Sequence, residues 1–243
     1  MDDLYDSVNE IGYPGILQPI LKDPLNEQSL LLESEIDVPK AAPLLERGTY
    51  LLQSWPDTGR EVALSVVKGQ NHRQKMFPMV ENIYQNHHLK ETRVPVDIDP
   101  RIQNNLLEQA TKIANSIEYV GVFSIVFYVQ DGEIYLKRLI PGIHRSQNIF
   151  NLASNTTVYE ETLRALSGMV ISDIRLQVPT IMLNVAEPQM QKIKTQWLIK
   201  DNWHFHFYPQ VSEHKDENHV GYVLADGDNV KQIQEQIDNT DVW

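Results

Sequence analysis

A helix followed at once by a long apolar strand restricts this chain more than any other feature. From Pro100 to Ile117 the apolar residues Ile102, Leu106, Ala110, Ile113 and Ile117 recur at intervals of four, four, three and four. That spacing keeps them on one helical face. Tyr119 to Val129 follows as a nearly apolar run of 11 residues containing Ser124. A bilayer-spanning helix needs roughly 20 apolar residues, so the run reads as a buried strand of a soluble protein. Asp131-Gly132 then supplies a hairpin turn into Ile134 to Ile140. The expected unit is a buried β-hairpin, Tyr119 to Ile140, beneath a helix.

Shorter elements surround this unit. Pro14-Gly15 opens two short strands between Gly12 and Leu32, and Asp37-Val38-Pro39-Lys40 starts a helical turn that Arg47-Gly48 ends. Thr49 to Gln53, Arg60 to Val67 and Met76 to Ile83 read as strands, with Val62, Leu64 and Val66 on one face of the second. Thr157 to Gly168 is a further helix. The strands Thr180 to Val185, His204 to Tyr208 and Val220 to Leu224 then lead to an amphipathic helix through Val230, Ile233 and Ile237. Helices and antiparallel hairpins without regular βαβ alternation make the class α+β and argue against a Rossmann or barrel enzyme.

The charge balance excludes some partners. With 21 basic and 33 acidic side chains the formal charge is −12, which opposes attraction to nucleic acid or an anionic membrane. No cysteine is present, so disulfides, thiolate zinc sites and thiol nucleophiles are excluded, in keeping with a cytoplasmic location. Residues 1–10 are acidic and polar, which predicts a disordered leader and no export signal. No Ser-His-Asp order, Walker loop or His-Glu-x-x-His motif occurs. His204 and His206 share one strand face, with His214 and His219 beyond. They read either as metal ligands or, flanked by Trp203, Phe205 and Phe207, as half-buried structure.

Several blocks in order resemble a known family. They are Glu61-Val62-Ala63-Leu64-Ser65-Val66, Phe77-Pro78-Met79-Val80-Glu81-Asn82-Ile83-Tyr84, Tyr119-Val120-Gly121-Val122-Phe123, Ile140-Pro141-Gly142-Ile143-His144-Arg145-Ser146 and Tyr159-Glu160-Glu161-Thr162-Leu163-Arg164-Ala165. Together with Met182-Leu183-Asn184-Val185 and His206-Phe207-Tyr208, they are similar to N5-carboxyaminoimidazole ribonucleotide synthetase, the ATP-grasp carboxylating ligase of purine biosynthesis, over roughly residues 11 to 225. The resemblance implies an ATP-grasp-like fold: a lid-like subdomain at 11–67, a central subdomain at 68–170 and a small β-rich C-terminal domain at 171–243. It also implies that the family's N-terminal substrate domain, of roughly a hundred residues, lies outside this sequence.

The departures from the family bear on function. The resemblance places Gln18 at the nucleotide-binding lysine, Gln53 at the hinge glutamate, Tyr84 at a nucleotide-contacting histidine and Gly142 at an arginine. The lid loop, glycine-rich in the family so that backbone N–H groups reach phosphates, reads Leu21-Lys22-Asp23-Pro24-Leu25-Asn26-Glu27. Magnesium in the family is held by oxygen ligands at positions that match Val126, Lys137 and Arg138. Near the C-terminus, basic residues that help hold substrate phosphate are replaced within Tyr208-Pro209-Gln210 and Asn218-His219-Val220-Gly221-Tyr222. Glu61, His144 and Ser146 stay in register.

The candidate nucleotide-binding residues are therefore Glu61, Lys137, Arg138, His144 and Ser146, with no catalytic or metal-binding residue expected. Glu61 reads as an acceptor of ribose hydroxyls or as an exposed strand carboxylate. Lys137 and Arg138 read as an anion site in place of the metal or as a solvated or salt-bridged strand edge. His144 and Ser146 read as remnants of a catalytic loop or as turn residues satisfying local backbone groups. The resemblance then implies a truncated, degenerate and non-catalytic homologue with an interaction or regulatory role. Its partner would be a second copy or an intact purine-pathway ligase. The alternatives are an altered nucleotide- or anion-binding protein, or a residual ligase acting on aminoimidazole ribonucleotide. No cofactor is expected, ATP stays open, and magnesium is not expected.

Overall fold

A computed structural model describes residues 2–20, 29–54, 59–85, 88–209 and 219–243. It divides into two units, Met1–Gly59 and Arg60–Trp243. The acidic start, expected to be disordered, instead forms helix α1 (Asp2–Ile11). Leu4 and Val8, one turn apart, are buried with Leu17, Leu32, Val38 and Ala41, and this apolar contact outweighs the local charge. The first unit's sheet holds β1 (Gly15–Pro19), β2 (Leu30–Leu32) and β3 (Tyr50–Ser54) in antiparallel order β2-β1-β3. A 3-10 turn, Glu35–Ala41, and the short α2 (Ala42–Leu45) join β2 to β3. Ser34 stands at the N-terminal boundary of this turn, ahead of the Asp37 start that the sequence suggests. The Asp37 carboxylate reaches back to accept from the backbone N–H groups of Glu33 and Ser34 at 3.0 and 3.1 Å. The glycine-free loop at 21–27 lies outside the described residues.

The second unit runs through β4 (Arg60–Lys68), β5 (Gln74–Met76), β6 (Val80–Gln85), β7 (His88–Val94), α3 (Pro100–Ser116), β8 (Gly121–Gln130), β9 (Glu133–Pro141), α4 (Phe150–Ala153), α5 (Val158–Leu166), β10 (Thr180–Ala186), α6 (Met190–Ile199), β11 (Trp203–Phe207), β12 (His219–Asp226) and α7 (Val230–Asp238). Its strands form one nine-stranded sheet in the order β11-β12-β10-β7-β6-β4-β8-β9, with β5 on β4. Every pairing is antiparallel. Asp99 caps α3 by accepting from the Arg101 N–H at 2.7 Å, and Pro100 stands in the first turn. The Leu106, Ala110 and Ala114 stripe of α3 covers Val62, Leu64 and Val66 of β4 and Phe123, Ile125 and Phe127 of β8. On the opposite face Ala63, Val67, Val122 and Val126 pack with Phe77, Phe150, Val158 and Ala165. β4 and β8 are thus buried on both sides.

Several expectations shift. Only β8 of the expected buried hairpin is buried, because β9 ends the sheet order and has a strand neighbour on one side alone. Phe77-Pro78-Met79 separates β5 from β6 where one strand, Met76 to Ile83, is expected; Pro78 has no N–H for a ladder. The strands past residue 171 extend the same sheet rather than forming one of their own, with α6 and α7 packed on them through Ile193, Ile233 and Ile237. No helix among the described residues is long and apolar enough to cross a membrane.

One buried cation ties β4 to α3. Lys68 donates to the carbonyls of Ala114 and Ile117 at 3.0 and 2.7 Å, two acceptors that the end of a helix leaves without intrahelical partners. Lys68→Met keeps the stem and removes both bonds, with an expected loss of about 2 kcal/mol. In urea unfolding the midpoint should fall with an unchanged slope; an unchanged midpoint would sink the capping role.

Candidate functional site

Glu61 stands at the start of β4, opposite Asn82 of β6 and Tyr128 of β8. It is a buried carboxylate, not the exposed strand residue of the bland reading. Oε1 accepts from Asn82 Nδ2 at 2.9 Å and from the Tyr84 hydroxyl at 3.0 Å, and Oε2 accepts from Lys137 Nζ at 2.6 Å. Asn82 is held in turn by the Thr92 hydroxyl at 3.0 Å. Burial first, and then the Glu61 charge, pushes the Tyr84 hydroxyl far above its ordinary range. It therefore stays protonated and donates to the carboxylate.

A β-bulge brings Lys137 to this carboxylate and Arg138 to the Tyr84 hydroxyl beside it. Val126 faces Arg138 and Phe127 faces Leu136, so Lys137 is the extra residue between them. Plain alternation would turn Lys137 and Arg138 to opposite faces, yet both reach the Tyr84 side of the sheet. Lys137 also bonds the Tyr128 hydroxyl, and its ammonium lies 4.2 Å from the centre of the Tyr128 ring and 5.4 Å from that of Tyr84. Arg138 donates to the Tyr84 hydroxyl at 3.3 Å. The side chain of Lys137 is only 17% exposed and pairs with Glu61, so the bland reading holds for it as a salt-bridged strand edge and not as a solvated one. Arg138 is exposed and makes no ion pair with a carboxylate among the described residues.

His144 and Ser146 come together in the loop after β9. The His144 ring nitrogen Nδ1 lies 2.9 Å from Ser146 Oγ and accepts from the Ser146 N–H at 3.4 Å. Burial holds this histidine below its usual range, and Arg138 and Arg145 add repulsion against a proton while Glu61 opposes them. These effects favour the neutral ring. Gln147 anchors the loop: its Oε1 accepts from the His144 N–H at 2.7 Å, and its Nε2 donates to Ser65 Oγ and Ser124 Oγ at 2.9 and 2.8 Å. Sequence reasoning missed Gln147, Asn82 and Tyr128. The clue to Gln147 was the pair Ser65 and Ser124, two hydroxyls inside apolar strands that require a polar partner.

The residues do not suit a hard cation. At the positions that the family resemblance assigns to metal ligands, Val126 offers an alkyl group, and Lys137 and Arg138 offer positive charge in place of oxygen. The histidines on β11 and β12 do not converge either. His204 pairs with Asp226 at 2.9 Å, His206 stacks on Tyr222 at 4.7 Å, and His219 meets His88 edge-on at 5.9 Å. No group of three or more His, Asp or Glu suited to a metal occurs among the described residues, and His214 lies outside them.

The family model of the ATP-grasp domain matches residues 1–156. N5-carboxyaminoimidazole ribonucleotide synthase of Staphylococcus aureus strain COL is 25% identical over 237 residues, which is 97% of this chain and 63% of that protein. The synthase of Staphylococcus saprophyticus is 23% identical over 238 residues, with the same coverage. Among solved structures, the ADP complex of an N5-carboxyaminoimidazole ribonucleotide synthetase gives a TM-score of 0.91 at 26% identity, covering 100% of this chain and 64% of that one. Biotin carboxylase of Campylobacter jejuni gives 0.75 at 16% identity, covering 96% and 58%, a likeness of fold. The chain thus spans about 63% of the length of the curated relatives it matches.

Proposed function

Since this chain belongs to the ATP-grasp family, we propose that it is a catalytically silent relative of the carboxylating ligase of purine biosynthesis, with an interaction or regulatory role in place of turnover. The 2.6 Å contact between Lys137 Nζ and Glu61 Oε2 carries this reading. The carboxylate that would accept ribose hydroxyls is already taken up by Asn82, Tyr84 and Lys137. A nucleotide would have to break that ion pair to use it. The chemistry points the same way. Removing a single stabilising donor typically costs an enzyme about 10²–10³ in rate, and here Gln18, Val126, Lys137 and Arg138 all stand where the family resemblance calls for other groups. The partner in such a role is a second copy or an intact ligase of the pathway.

An assay of phosphate release with ATP, magnesium, bicarbonate and aminoimidazole ribonucleotide tests the proposal. No release above the protein-free control is expected. Turnover that requires aminoimidazole ribonucleotide would overturn it.

A further inference from the structure

We propose that the open edge of β11, together with the apolar end of α6, binds an extended acidic segment of a partner protein by adding it to the sheet as one more strand. This surface stands at the end of the sheet order away from β9 and serves whether or not Glu61 meets a nucleotide.

Parity decides which backbone groups are available. The Asp226 N–H donates to the Asn202 carbonyl and the Tyr208 N–H to the Val220 carbonyl, so the even-numbered residues of this stretch turn their backbone groups toward β12. In an antiparallel ladder the intervening residues point the other way. The N–H and C=O groups of Trp203, Phe205 and Phe207 therefore leave the sheet on its outer side, where β11 has no strand neighbour among the described residues. Such a row is a template for a further strand, and no proline, lysine or bulge interrupts it between Trp203 and Phe207.

An apolar corner lies beside the row. Trp197 of α6 rests on Phe205 and Phe207, with 5.9 and 5.5 Å between ring centres. Leu198 and Ile199, which follow it, are exposed, Leu198 by 87%. A strand laid along β11 turns every second side chain toward the face on which Trp197 lies.

Charge selects the partner. In a chain of net charge −12, α6 and the residue after it carry Lys192, Lys194 and Lys200 and no acidic side chain. None of the three pairs with a carboxylate among the described residues. Lys192 donates to the Asp241 carbonyl at 2.5 Å, and the Lys200 ammonium lies over the Trp203 ring, 5.4 Å from its centre. Acidic side chains on the incoming strand meet this local positive charge, while backbone bonds supply affinity and alternate apolar side chains supply specificity. A lipid surface would use the apolar corner and the lysines but offers no partner to the backbone row. A peptide fits the whole surface.

Fluorescence anisotropy of a labelled, end-capped peptide of four Glu-Val repeats, titrated with the full chain, tests the proposal. The peptide is expected to bind. Its Lys-Val counterpart, and a Glu-Val peptide N-methylated at two adjacent central residues so that donors are lost on both of its edges, should each bind about tenfold more weakly or worse. Leu198→Ser and Lys194→Glu, both at exposed positions, should weaken binding several-fold with unchanged unfolding midpoints. No binding of the Glu-Val peptide, equal binding of the Lys-Val or N-methylated peptide, or unaffected binding by either variant would each overturn the proposal. Sedimentation of the chain alone and flotation with phosphatidylserine vesicles separate the other occupants. A dimer abolished by Leu198→Ser would assign the face to a second copy, vesicle binding abolished by the same change would assign it to a lipid surface, and either would overturn the proposal.

Discussion

Lys137→Met should destabilise the protein by about 3 kcal/mol, as removal of one partner from a buried ion pair does. Methionine preserves the length and most of the volume of the stem but cannot donate to Glu61 Oε2. The Asn82 and Tyr84 donors reach only Oε1. A buried carboxylate is then left without its counter-ion. For a unit of this size the loss corresponds to a fall in Tm of roughly 10 °C. The double variant Glu61→Gln/Lys137→Met should recover most of it, because a neutral amide can still accept from Asn82 and needs no counter-ion. Equal Tm values for the single and double variants would show that the ion pair does not hold the site together.

Gly221→Ala is the second large effect, of about 3 kcal/mol, at the upper end of overpacking costs. Gly221 of β12 faces Phe207 of β11. A Cβ at this position would overlap the His206 carbonyl oxygen and come within 3.0 Å of the Phe207 Cα. Those are backbone atoms fixed by the ladder, so no side-chain rotation relieves the contact. β11 must move away, and with it the packing of Trp203 on Trp243 and of Phe205 and Phe207 against Trp197. Tryptophan fluorescence should shift to the red and the unfolding midpoint should fall; an unshifted spectrum with a native midpoint would refute the close approach.

Elements governed by their own periodicity were legible in the sequence. The stripe on α3 states which face is buried and the apolar run of β8 states burial on both, and the structure agrees; β4, read by its alternation as burying the Val62, Leu64 and Val66 face, buries its other face as well. β7 was not legible because its buried Glu91 breaks the apolar pattern; Arg93 neutralises it two residues on, at the same strand face. α6 presents Ile193 as its one buried residue and leaves Trp197, Leu198 and Ile199 exposed, so no stripe marks it. At the site, the residue types at Glu61, Lys137, Arg138, His144 and Ser146 were legible through the family resemblance, but their arrangement was not. Whether Lys137 points inward depends on a register shift against Val126 and Phe127. That shift is decided by the partner strand, and nothing within Glu133–Pro141 announces it.

The same bulge bears on how copies of this chain meet in concentrated solution. β9 ends the nine-stranded sheet, and Tyr135, Leu136 and Leu139 on it are 54%, 53% and 42% exposed. A flat strand of that length and character would be a template for edge-to-edge aggregation. The extra residue at Lys137 breaks the even spacing of edge N–H and C=O groups. The feature that assembles the site thereby also acts as a gatekeeper at the open end of the sheet, keeping an apolar edge strand from becoming the seed of a fibril.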